Sequence, residues 1–208
     1  IEQFRVDLAE PRYGLKWEEV EQRLGNKAKF IARPRLGVRT VARSTDHRTV
    51  IAGLIPRNAP SGNSLNIFES VERPFHFWLL AVLNSLPFDA ILRLKVSANL
   101  NLPFLYDSPY LPLSPKDPRH QEVVRLSAVL TAGCPGFGEE FRDMLAPLGL
   151  EPRPLSEEEQ RDFQAQLEAH MLHAWGIPER FLPYLMGRFP LLEEDYKEAI
   201  LNYYHKFA

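Results

Sequence analysis

Between Leu36 and Pro56 the chain carries two runs rich in β-branched and apolar residues, Leu36–Arg43 and Thr49–Pro56, separated by the polar segment Ser44–Arg48. Runs of that composition joined by a short polar link predict a β-hairpin. In a regular first strand Arg33, Arg35, Arg39 and Arg43 share one face, while Leu36, Val38, Thr40 and Ala42 take the other. The first face is cationic and the second is suited to burial. From Lys27 to Arg57 eight positive residues face one acid, Asp46, although the chain's formal net charge is −2. Any polyanion surface must therefore be a local patch rather than a global field.

After Pro74 the pattern changes. Phe75–Leu86 and Phe88–Val96 are largely apolar runs broken at Pro87, with few polar positions, which predicts two mostly buried helices. Pro56 to Asn66 reads as a loop by composition. Leu102 to Pro118 holds five prolines and predicts an extended, irregular path. Beyond it the pattern is helical: Arg119–Thr131, Gly138–Leu145, Ser156–Trp175, Glu179–Phe189 and Leu192–His205. Ser156 followed by Glu159 is a capping-box signature for the longest of these, whose surface is acidic. The expected fold class is α+β, with an antiparallel hairpin or sheet and buried helices in the N-terminal half and a mainly helical C-terminal half. The expected division is a β-containing part at 1–115 and a helical part at 116–208.

With 208 residues, 45% of them hydrophobic, the chain has enough apolar material for a real core. Cys134 is the sole cysteine, so an intramolecular disulfide framework is excluded and a reducing compartment is suited. No apolar run approaches the roughly 18 residues needed to span a bilayer, and no signal-peptide layout opens the chain. A cytoplasmic protein without a membrane partner is expected. The start at Ile1 rather than Met reads as a piece of a longer protein.

Same-face strand residues lie about 6.6 Å apart, close to the spacing of phosphates along one DNA strand, so the arginine row is suited to track a backbone. The alternative is an edge strand protected by charge. Asn63, Asn66, Asn84, Asn99 and Asn101 carry amides that pair with adenine or bond backbone in turns. For each taken singly the turn or cap role is the stronger reading. Asp107-Ser108-Pro109-Tyr110 imitates an amino-methyltransferase motif but has serine where the first proline belongs, and Gly133 to Gly138 makes only a weak cofactor loop. His170 and His173 lie one helical turn apart without the His-Glu-x-x-His pattern, so no metal site is expected. There is neither a Gly-x-Ser-x-Gly elbow nor a Walker loop.

The order Arg39 to Asp46, Arg48 to Ala52, Gly62-Asn63-Ser64, Leu83-Asn84-Ser85-Leu86-Pro87-Phe88-Asp89, Lys95-Val96-Ser97 and Asn99-Leu100-Asn101 resembles the C-terminal region of large bacterial N6-adenine DNA methyltransferases, the type IIG restriction-modification and related phage-defence methylases. The tail, from Leu167-Glu168-Ala169 through Trp175-Gly176-Ile177 to Tyr184 and Pro190, is similar to that family's closing helices. The resemblance covers roughly Arg39 to Phe189 and implies a target-recognition part that reads duplex DNA and presents the adenine to an upstream methyltransferase domain of the same parent chain. Arg35, Arg39, Arg43, Ser44, Thr45, Arg48, Asn63, Asn99 and Asn101 are the expected DNA contacts. No catalytic residue and no cofactor are expected in this piece, with S-adenosylmethionine belonging to the parent. The alternatives are a complete small amino-methyltransferase using Asp107–Tyr110, and a protein-interaction module docking through its acidic helical half.

Overall fold

The fold is taken from a computed structural model, which describes residues 3–4, 14–68, 75–133 and 141–208. It is α+β, as expected. Two short helices, α1 (Trp17–Leu24) and α2 (Ala28–Ile31), lead into strand β1 (Arg35–Arg39). β1 pairs antiparallel with β2 (Ala52–Ile55), setting Arg35 opposite Ile55 and Val38 opposite Ala52, so the hairpin forms with a longer connection than expected. A third strand, β3 (Leu65–Phe68), pairs with the other side of β1. The sheet order is β2-β1-β3, which makes β1 the central strand rather than an edge.

Gly37, in the middle of β1, lets the two neighbours close over it. A Cβ there would lie 2.8 Å from Ile55 Cγ1 and 3.0 Å from Ile55 Cδ1. Gly37→Ala is expected to cost about 1–3 kcal/mol in urea denaturation, the usual penalty for overpacking. An unchanged midpoint would show that Ile55 swings aside freely.

The apolar runs after Pro74 become α3 (Phe75–Asn84) and α4 (Leu86–Arg93), bent by 55° at Ser85. Pro87 falls in the first turn of α4, where its missing N–H costs nothing. Leu102–Tyr106 forms a short helix, α5, inside the stretch expected to be irregular, again with proline in the first turn. Next come α6 (Pro118–Ala132), α7 (Arg142–Leu145), α8 (Glu157–Ala174), α9 (Leu182–Gly187) and α10 (Glu194–Lys206). Both bonds of the α8 capping box form: Glu159 N–H donates to Ser156 Oγ at 3.1 Å and Ser156 N–H donates to Glu159 Oε2 at 3.0 Å.

One large core joins the inner face of the sheet (Leu36, Val38, Leu54) to Phe77 and Trp78 of α3, Leu126 of α6 and Met171 of α8. It is continuous across residue 115. A smaller cluster packs α8, α9 and α10 around Leu172, Phe189 and Ile200. Among the described residues no single helix is long and apolar enough to cross a membrane; the bent α3–α4 pair has the length and composition, and most of its side chains are buried in the protein.

Candidate nucleic-acid interface

The segment from Ala42 to Ala52 is held by side chains from distant elements. Asp89 of α4 is fully buried, and its Oδ2 accepts from the backbone N–H groups of Thr49 (2.9 Å) and Val50 (3.0 Å). Its Oδ1 accepts from Arg93 Nε at 2.8 Å. Arg93 then donates through Nη1 to the Ser44 carbonyl (2.7 Å) and through Nη2 to those of Asp46 (2.6 Å) and His47 (2.9 Å). Its guanidinium lies 4.4 Å over the Phe189 ring. Asn84 acts as a further backbone partner, accepting from Ala52 N–H at 2.9 Å and donating to Ala52 O at 3.0 Å.

A second buried pair crosses the protein. Arg48 Nη2 donates to Glu168 Oε1 at 2.6 Å, and Glu168 Oε2 accepts from the Leu86 N–H at 2.8 Å. Burial disfavours the charged guanidinium, but Glu168 together with Tyr196 and Asp89 outweighs that cost and raises the Arg48 pKa. Burial likewise pushes up the phenol of Tyr196, which neighbours the pair. Much of the motif order behind the family resemblance is thus an internal scaffold: Arg48, Asn84 and Asp89 bond to the protein itself.

Past Arg39 the chain runs on extended and is clasped from both sides. Thr40 N–H donates to Ser64 O (2.8 Å), Leu100 N–H to Thr40 O (2.7 Å) and Ala42 N–H to Ala98 O (3.2 Å), while Val41 and Asn99 form an isolated antiparallel bridge. Three segments, 39–43, 60–66 and 94–101, therefore meet at one end of the sheet. Neither 60–66 nor 94–101 contains an acid. Arg43, Asn63, Ser64, Ser97, Asn99 and Asn101 are exposed there, together with Val41. Asp46 accepts from the Arg43 backbone N–H at 3.1 Å and lies 3.7 Å from Arg39 Nη2, and Asp107 stands beside Lys95 at the far end of 94–101.

Of the expected contacts, Arg43, Thr45, Asn63, Asn99 and Asn101 are exposed, and Arg39 and Ser44 are half-buried. Arg35 and Arg48, expected on an open face, are both buried. Arg48 faces Glu168, and Arg35 Nη2 donates to the carbonyls of Ala59 (2.6 Å) and Pro56 (3.3 Å). The alternation of the arginine row predicts an open strand face, whereas β1 lies inside the sheet and α1 and α2 lie across that face. Asp89, Arg93 and Glu168 organise the segment although the sequence reading assigns them no such role, and Asn84 bonds backbone across the fold rather than in a turn or cap. Their signal is an acid and a cation at i,i+4 spacing, Asp89 and Arg93, in an otherwise apolar run.

Asp107 and Tyr110 are exposed, and Lys95 Nζ donates to the Asp107 carbonyl at 3.0 Å. Of the weak Gly133–Gly138 cofactor loop, all but Gly133 lies outside the described residues, as do Cys134 and the start of the expected Gly138–Leu145 helix. His173 Nε2 is 2.8 Å from Tyr204 O and His170 stacks on Phe207. Among the described residues no group of three or more His, Cys, Asp or Glu is placed to hold a metal ion.

No protein-family model, curated protein or solved structure matches the chain.

Proposed function

We propose that the chain is the DNA target-recognition fragment of an S-adenosylmethionine-dependent adenine-specific DNA methyltransferase of the restriction-modification or phage-defence kind. It binds duplex DNA and presents the target adenine to a catalytic domain upstream in the parent, where the cofactor binds. The observation that supports this reading best is the acid-poor end of the sheet, where Arg43 and the amides of Asn63, Asn99 and Asn101 are exposed together. Arginine there is suited to position a phosphate backbone, and amides are the side chains that read adenine edges bidentately. Because a flipped adenine must be drawn from its stack, a catalytic domain needs such a second grip on the duplex.

Fluorescence anisotropy with labelled duplexes across a salt titration tests it. Arg43→Ala is expected to weaken binding to all duplexes alike and lower the salt slope by about one unit, whereas Asn99→Ala or Asn101→Ala should cost about 1–3 kcal/mol at one base position only. All three sites are exposed, so folding should be unchanged. A folded chain that binds no duplex at low salt, or variants indistinguishable from the parent sequence, would overturn the reading.

A further inference from the structure

Three arginines in the described protein are buried: Arg35, Arg48 and Arg93. Two of them carry their counter-charge with them, Arg48 on Glu168 and Arg93 on Asp89. Arg35 has none among the described residues. Its Nη2 reaches two carbonyls, its Nε has no hydrogen-bond partner there, and desolvation lowers its pKa. A buried guanidinium without a carboxylate is costly, because carbonyl dipoles replace hydration but not charge.

Arg35 lies in a cleft of about 570 Å³ between α1–α2 and the outer face of the sheet. On α1 and the turn after it, Val20, Arg23, Leu24 and Lys27 recur at helical spacing and line this cleft, whereas Glu18, Glu19 and Glu21 do not. Among its described lining residues there are three cations, Arg23, Lys27 and Arg35, and no acid. Arg23 and Lys27 are exposed and make no ion pair with any described residue. Beside the cations the lining is mixed, with apolar Phe30 and Leu24, the latter 38% exposed, and polar Ser61 and Asn66. On the opposite lip stands Asn63, which also belongs to the acid-poor surface.

We propose that this cleft is a nucleotide site, in which Arg35, Arg23 and Lys27 receive a phosphate and the Leu24–Phe30 wall covers the sugar or base. The donors ask for a compact anion, and the wall asks for a flat, partly apolar body attached to it. A nucleotide within a DNA strand and a free mononucleotide share that chemistry. The inference goes beyond the DNA reading, since a free nucleotide would satisfy the same groups.

The test follows the Arg35 Nε–Hε resonance by ¹⁵N–¹H NMR during titration of the full chain with inorganic phosphate, dAMP and a short duplex. The resonance is expected to move; movement with dAMP identifies a free nucleotide as sufficient, and movement with the duplex alone assigns the phosphate to a strand. The double variant R23Q/K27Q is expected to weaken that binding by about tenfold or more without changing the melting temperature, as loss of charge-assisted bonds requires. It carries the test should the buried variant Arg35→Gln fail to fold. A resonance unmoved by all three ligands, or binding unaffected in R23Q/K27Q, overturns the proposal. Duplex binding by anisotropy is a separate readout, so a chain that binds DNA while Arg35 stays still loses this inference and keeps the DNA reading.

Discussion

Asp89→Ala is expected to remove most of the protein's stability. The carboxylate is fully buried and takes three N–H donors, from Thr49, Val50 and Arg93. Its loss leaves a buried guanidinium unpaired, a defect that costs about 3–5 kcal/mol. It also strands two backbone donors at about 1–3 kcal/mol each where water does not reach them. Domains of this size are stable by only about 5–15 kcal/mol, so urea denaturation should find the variant partly or wholly unfolded. Asp89→Asn keeps an acceptor for the backbone but not the charge for Arg93, and should fall between the two. A loss below about 1 kcal/mol for the alanine variant would show that water enters the site and takes over these bonds.

The second large effect belongs to the pair that crosses the protein. Glu168→Ala should cost about 3–5 kcal/mol, because Arg48 is then buried without a partner and the Leu86 N–H loses its acceptor. The double variant R48M/E168L, similar in volume and uncharged, should be close to the parent in stability or exceed it, since an apolar pair incurs no desolvation cost. Equilibrium denaturation of R48M, E168L and the double closes the cycle. A double variant as unstable as the sum of the singles would mean that the two residues act independently, contrary to their 2.6 Å contact.

The elements legible in the sequence are those whose causes are local. The hairpin follows from β-branched runs around a polar link, and the start of α8 from Ser156 and Glu159 three residues apart. β3 is hidden because Leu65–Phe68 is only four residues long and follows a stretch rich in proline, glycine and asparagine. α5 is hidden because Pro103 suggests an irregular path, although proline fits a first turn. For Arg35, alternation predicts the face correctly and the environment wrongly. Arg35 does lie across from Ile55 on the face away from Leu36, but whether that face meets solvent depends on β3, α1 and α2. The burial of Arg48 is beyond local reading, since its partner lies 120 positions away.

That separation shapes how the protein emerges from the ribosome. Arg48, the strands and α4 are synthesised long before Glu168 and Phe189, the carboxylate and ring that enclose the guanidiniums. Until α8 arrives, the hairpin connection holds a cation that it cannot bury. Closing a loop of that length carries a larger entropic cost than any neighbouring contact and slows the ordering of the segment. A nascent chain halted near the middle would present Arg48 to solvent while Asp89 and Arg93 already hold the connection, and a chain truncated after residue 115 would keep that immature form.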